Sequence, residues 1–166
     1  MIRVQVPATS ANLGSGFDSL GIALSMHNRV WMEESDVVDI SSRDSTVIPT
    51  DEHNLIYWAA KRLYEQCGRK LPGLRLVQEN NIPMARGLGS SSSCIVAGIL
   101  GANRLLGTPF SQKDLVNFAA KIEGHPDNTT PAIEGGLVAS AIEGSGYSVV
   151  PVQIKFALRC LFRRLS

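Results

Sequence analysis

Residues 83–98 read Pro-Met-Ala-Arg-Gly-Leu-Gly-Ser-Ser-Ser-Ser-Cys-Ile-Val-Ala-Gly, a turn poised on two glycines that runs through four serines straight into an apolar helical pattern. Gly87 and Gly89 are free to take φ > 0 and leave no side chain between backbone and ligand, so successive N–H groups can converge on one anion. Ser90, Ser91, Ser92 and Ser93 add hydroxyls at the same place. Beyond them Ile95, Val96, Ile99, Leu100, Leu105 and Leu106 recur at the spacing of a helix with a broad apolar face. The unpaired N–H groups and dipole of its first turn favour negative charge, and a nucleotide phosphate is the natural ligand. Two plainer readings compete. A flexible Gly/Ser linker is not followed at once by a patterned helix; a helix start without a ligand stays open at this level. No Lys follows the glycines in the G-x-x-x-x-G-K-[ST] register, so this is not a Walker loop and phosphate charge must be neutralised from elsewhere.

Such a cradle needs a strand before it, and Gly73–Glu79 supplies one, with Leu74 and Leu76 alternating with Arg75. Upstream, Ile2, Val4 and Val6 alternate with Arg3 and Gln5, which predicts a half-buried strand entering a turn-rich segment, Pro7–Gly21. Further strands are expected over Arg29–Glu33 and Val37–Ser41. A helix is expected within Asp51–Gly68, where Leu55, Ile56, Ala59, Ala60 and Leu63 keep helical spacing. Ser111 and Asp114 resemble a capped helix start, and Leu115, Val116, Phe118, Ala119 and Ile122 carry that helix to Gly124. A loop, His125–Pro131, follows. Gly136–Ile142 and Tyr147–Val152 read as strands joined by the hairpin composition Glu143-Gly-Ser-Gly146. Strands cluster at both ends with helices between, which favours an α+β fold over a doubly wound sheet.

The chain has 166 residues, 44% of them hydrophobic, enough for one compact core. A formal net charge of +1 gives no reason to expect nucleic acid or a membrane surface as partner. The charge is unevenly spread: Lys155, Arg159, Arg163 and Arg164 lie in residues 153–166 with no acid among them. Cys67, Cys94 and Cys160 are widely separated and lack C-x-x-C spacing, which supports neither a disulfide framework nor a zinc site. The opening Met1-Ile-Arg-Val-Gln-Val is too short for a signal core, and no run approaches a membrane span, so a cytoplasmic location is expected.

Three constellations can carry chemistry. The first is the small-residue loop 7–21, where Asn12 offers an amide and Asp18 a carboxylate to hydroxyl and ammonium groups. Asp18 alone also reads as a turn residue. The second is the cradle, whose serines can bind phosphate and give Mg2+ a hydroxyl ligand. Magnesium then wants a carboxylate. The third segment, Glu123-Gly-His-Pro-Asp-Asn128, provides one. A Ser–His125–Asp127 hydrolase triad is disfavoured, because no G-x-S-x-G nucleophile elbow is present.

Together Pro7-Ala-Thr-Ser-Ala-Asn-Leu-Gly-Ser-Gly-Phe-Asp18, Pro83-Met-Ala-Arg-Gly-Leu-Gly-Ser-Ser91 and Glu123-Gly-His-Pro-Asp-Asn128, followed by Pro131-Ala and Gly135-Gly136, resemble the GHMP kinase superfamily on its homoserine-phosphorylating branch. The resemblance implies an α+β N-terminal domain over residues 1–152, similar to the second domain of ribosomal protein S5, with a left-handed β-α-β crossover. It implies ATP and Mg2+ as cofactors and L-homoserine as the small-molecule acceptor, on the route to threonine. By position, Pro83, Arg86, Gly87, Leu88, Gly89 and Ser90 to Ser93 would wrap the ATP phosphates, and Asn54 and Leu55 would border the adenine. Ser91 and Glu123 would complete the magnesium shell. Asn12, Asp18, His125 and Asn128 would face homoserine, Asp18 holding its ammonium group. Asn128 and His125 would be the catalytic pair. Several relatives carry an Asp base where Asn128 stands; an amide cannot take that proton, so catalysis would rest on positioning and charge stabilisation.

Members of the superfamily run to about twice this length, with a second α+β domain, and the likeness fades at Gln153. The expectation is therefore a chain truncated before that domain, with an atypical basic and apolar tail over 153–166 that comes from a frame-shifted or prematurely ended reading frame. As a helix the tail would also suit a membrane surface or partner. Such a chain would bind Mg·ATP weakly, turn homoserine over little and expose apolar strand surface; the pattern leaves room for a homodimer. The alternatives are a non-catalytic nucleotide-binding remnant and a GHMP kinase for another acceptor, such as mevalonate, a sugar or shikimate.

Overall fold

The computed structural model describes residues 1–144 and 146–152. Its elements run β1 (Ile2–Ala11), β2 (Leu20–Glu34), β3 (Val38–Ser42), α1 (Leu55–Gln66), β4 (Leu74–Glu79), α2 (Ser90–Leu105), α3 (Gln112–Glu123), α4 (Thr129–Glu134), β5 (Leu137–Glu143) and β6 (Gly146–Val152). This is an α+β fold. The strands form one sheet in the order β3-β4-β2-β5-β6, with β1 on the other side of β2. All pairings are antiparallel except β3 with β4, which α1 joins as a parallel crossover.

β2 is the hub. Its last residues pair with β4, from Arg29 opposite Glu79 to Glu34 opposite Leu74, and its first pair with β5, Leu20 opposite Ala139. Period-two alternation decides the faces. Val4, Val6, Val30, Met32, Leu74 and Leu76 are buried against Ile56, Ala59, Ala60 and Leu63 of α1 and Ile95, Val96 and Ile99 of α2. On the opposite face Arg75 reaches Glu33 and Asp39, and Trp31 carries the guanidinium of Arg43 at 4.5 Å. Helix α2 sits very close to its neighbours because it has glycine where it touches them: a Cβ on Gly98 would strike the Ile56 carbonyl of α1, and one on Gly101 the Met32 sulfur of β2.

Some local expectations give way to tertiary context. β1 does not stop at Pro7 but runs on to Ala11, and β2 starts at Leu20, so the turn is only residues 12–19. Pro7 is tolerated because, among the described residues, β1 pairs with no strand but β2, and an edge strand can lose a donor. The register shifts between Pro7 and Thr9, where a bulge absorbs the irregularity. The end of the expected loop His125–Pro131 instead opens the short helix α4, Thr129–Glu134, with Pro131 in its first turn where no intrahelical donor is required. The tail expectation for 153–166 lies outside the described residues.

Candidate active site

The three polar segments, distant in sequence, meet around Thr9. Its N–H donates to Leu88 O at 3.1 Å, and its hydroxyl donates to Asn128 Oδ1 at 2.8 Å across 119 residues of chain. Gly89 fills the remaining corner: a Cβ there would collide with Thr9 Oγ1 and lie 3.2 Å from Asn128 Oδ1. Gly21, at the far end of the first loop, packs its bare α-carbon against the Asp127 carbonyl. One strand end, one helix start and one loop thus share a junction that no larger residue at 89 or 21 would permit.

The cradle itself is built as its glycines require. Gly87 and Gly89 take φ values of 67° and 64°, and Ala85 joins them at 54°. Gly89 is the N-cap of α2 and contributes no side-chain bond, while the first backbone bond of the turn runs from Ser93 N to Gly89 O at 2.8 Å. Ahead of Ser93, the N–H groups of Ser90, Ser91 and Ser92 belong to the orphan donors that every helix start leaves. Beneath the loop a small apolar cluster of Ala8, Ile82 and Leu88, backed by Leu24, ties it to the strands. Pro83, Met84, Arg86 and Gly87 are exposed around it.

The serines divide their work. Ser93 is buried and its hydroxyl donates to Ser90 O at 2.7 Å. Ser92 Oγ donates to Glu123 Oε1 at 2.8 Å, which brings the third segment's carboxylate onto the first turn of α2. Ser91 is exposed. The carboxylate partner seen is therefore Ser92, with Ser91 one residue before it and open to solvent. These oxygen donors are of the kind a hard cation such as Mg2+ prefers.

In the third segment Asp127 is 1% exposed and its Oδ1 lies 2.6 Å from His125 Nδ1. A carboxylate only accepts, so His125 donates from Nδ1 and its Nε2 is left for other contacts. Asn128 Nδ2 approaches the same oxygen at 3.5 Å. Among the described residues no serine hydroxyl bonds to His125, and the hydrolase triad has no counterpart. The first loop is closed by Asn12 Oδ1, which accepts from Asp18 N at 2.9 Å; both residues hold positive φ, 56° and 52°. The Asp18 carboxylate is left exposed. Ser140 N donates to Ser19 O at 2.8 Å and anchors that loop to β5.

Asn54 and Leu55 stand apart from the junction. Asn54 is buried as the N-cap of α1, accepting from Ile56 N and Tyr57 N and donating to Pro49 O and Gln78 Oε1, so its polar atoms are spent on the fold. Leu55 is 41% exposed. Among residues that sequence reasoning did not single out, Thr9 joins the segments and Asn28 holds the cradle. Asn28 lies two residues before Val30 and four before Met32, and that alternation was a legible sign that an amide faces the core. A hollow of about 430 Å³ beside Tyr147, lined by Lys113, Val116 and Glu134, is formed by other residues altogether. Converging chemistry, not concavity, locates the site.

A family model described as the GHMP kinases N terminal domain matches residues 54–136, half the chain. The chain belongs to the GHMP kinases. Among curated GHMP relatives it is 46% identical over 164 residues to a homoserine kinase of Caldicellulosiruptor bescii, covering 95% of this chain and 53% of that protein. It is 44% identical to a homoserine kinase of Petrotoga mobilis, covering 97% of this chain and 53% of the relative. A solved structure from Listeria monocytogenes, itself assigned as a homoserine kinase, superposes with a TM-score of 0.81 at 42% identity, over 90% of this chain and 53% of that one. The chain spans about half the length of the curated relatives it matches. No helix among the described residues is long and apolar enough to cross a membrane.

Proposed function

We propose that this chain carries the ATP- and acceptor-binding site of a cytoplasmic kinase that transfers the γ-phosphoryl group of ATP to the side-chain hydroxyl of L-homoserine, a step in threonine biosynthesis. The observation that carries the reading is the junction of Thr9, Gly89 and Asn128, beside the Ser92–Glu123 bond. It joins β1 of the first segment, the start of α2 and the third segment with its carboxylate, which supports reading the helix start as the anion site and the 7–21 loop as the acceptor side. The relatives named homoserine kinase at about 45% identity support the choice of acceptor.

In this reading the N–H groups of Ser90 to Ser92 and the loop from Pro83 to Gly89, Arg86 included, hold the phosphates. Glu123 with the Ser91 and Ser92 hydroxyls would hold Mg2+, which supplies neutralisation of charge on the phosphate oxygens when bound. Asp18 takes the ammonium group of the acceptor, and Asn12 shapes the loop that presents it. The acceptor oxygen bonds to the γ-phosphorus as the bond to the ADP oxygen breaks, and the acceptor's proton leaves on a phosphoryl oxygen or water. Asn128, its Oδ1 held by Thr9, presents an amide rather than a base, and the His125 ring, oriented by buried Asp127, adds a hydrogen-bonding nitrogen. Asn54 and Leu55 are assigned to the adenine side.

A coupled ADP-release assay with L-homoserine, mevalonate, galactose and shikimate as acceptors, with the product identified by mass, tests the reading. Release that depends on L-homoserine above all other acceptors is expected. Preferential turnover of another acceptor would replace homoserine while keeping the kinase; failure of the folded chain to bind Mg·ATP would remove both.

A further inference from the structure

The middle of β2 carries one amide that the reaction does not use. Asn28 is 4% exposed. Its Oδ1 accepts from Asn81 N at 2.8 Å and from Ile82 N at 2.9 Å, the two residues that lead the chain out of β4 into the cradle. Its Nδ2 donates to Ser93 Oγ at 3.0 Å, and that hydroxyl donates onward to Ser90 O at 2.7 Å inside the first turn of α2. Asn81 returns a bond to the same place, its Nδ2 donating to His27 O at 3.2 Å.

We propose that Asn28 is the positioning residue of the phosphate cradle: one side chain that pins both the entry of the loop at Asn81–Ile82 and its exit at Ser93 to the rigid hub strand. The proposal rests on the nucleotide reading above. The chemistry selects asparagine, because the position needs an acceptor with two lone pairs on one side and a donor on the other, buried. Aspartate lacks the donor and leucine lacks both. β2 pairs with β5 up to Ile22 and with β4 from Arg29, so among the described residues no strand of the sheet lies beside Leu24–Asn28 on that side. The loop from Asn80 to Gly89 is anchored along this interval, where a backbone ladder cannot set its height. Asn28 sets it instead, and thereby the spacing between the loop and the first-turn N–H groups that would share one set of phosphate oxygens. Without the amide, the Asn81 N–H and the buried Ile82 N–H lose their acceptor and the Ser93 hydroxyl loses the donor that ties it to β2, so the cradle's two walls are no longer referred to a common point.

The test compares Asn28→Ala with Asn103→Ala, which also removes a buried amide that staples a loop. Asn103 bonds to both Phe110 N and Phe110 O at 3.1 Å, but at the opposite end of α2. Mg·ATP binding is measured by calorimetry on the full chain, and backbone hydrogen exchange on the same proteins. Asn28→Ala is expected to weaken Mg·ATP about tenfold or more and to speed exchange of residues 81–93, whereas Asn103→Ala leaves both within about twofold despite a comparable loss of stability. Ser93→Ala severs only the helix-side tie, so exchange should quicken at 90–93 but not at 81–82, with affinity falling about threefold. That variant decides the matter should Asn28→Ala not fold. Wild-type affinity and exchange in a folded Asn28→Ala or in Ser93→Ala would overturn the proposal. If the wild-type chain binds no Mg·ATP yet the exchange pattern appears, the nucleotide reading falls and the anchoring role stands.

Discussion

Gly89 concentrates the demands of the site on a single residue. Its φ of 64° is left-handed, and the space a Cβ would need is held by the Thr9 hydroxyl. Gly89→Ala therefore pays a backbone penalty of about 1–2 kcal/mol and also pushes Thr9 off Asn128. Mg·ATP affinity measured by calorimetry should fall about tenfold or more for this variant, while Gly87→Ala, whose Cβ would meet nothing within 4 Å, should cost less. Equal losses at the two positions would contradict the junction. A different residue contributes to acid stability. Burial pushes the Asp44 carboxyl up, but hydrogen bonds from Asn80 and Thr46 outweigh it and hold the group at about 2. A folded value below the unfolded one, about 3.9, means that Asp44 adds stability in full above about pH 4 and loses it as pH falls through about 2. The gap in urea midpoint between wild type and Asp44→Asn should accordingly narrow from about pH 6 to about pH 2.5; a gap independent of pH would contradict this. At this scale the glycines and the polar side chains of the motifs were legible because local backbone chemistry demands them. Thr9 was not, because its role is one contact across the fold.

Elements with their own start and stop signals were legible, and those held by neighbours were not. α3 begins with a complete capping box between Ser111 and Asp114 and ends at Gly124 with φ 96°, as the residue types foretell. α2 is present as expected, but it starts at Ser90, so the four serines are its first turn. β2 is the opposite case: Leu20–Asn28 shows no clean alternation, and it is a strand because β1 pairs along it on one side and β5 takes its first residues on the other. α4 has only six residues and a proline, too little for periodicity to register. α1 supplies the prediction at this scale. Asn54 caps it and also donates to buried Gln78, so Asn54→Ala loses a cap worth about 1 kcal/mol and strands an acceptor at a further cost of about 1–3 kcal/mol. Urea unfolding should show a loss of about 2 kcal/mol or more; a loss below about 0.5 kcal/mol would mean that the cap carries little of the helix.

For the molecule as a whole, the clustering of strands at both ends of the chain was enough to choose α+β, while the order of strands in the sheet was not. Order depends on which residues of one long strand meet which partner, and β2 meets three. The same hub explains why the site was readable in pieces: each motif carries its own turn chemistry, but their meeting at Thr9 is a property of the sheet. The proposed Mg·ATP site is built from all three segments together, and its direct measurement is a calorimetric titration of Mg·ATP into the folded chain and into Glu123→Gln. Saturable one-to-one binding that requires Mg2+, and that weakens about tenfold or more when the Ser92-bound carboxylate becomes an amide, is the predicted result. No saturable binding by the folded chain, or binding indifferent to both Mg2+ and Glu123→Gln, would contradict it.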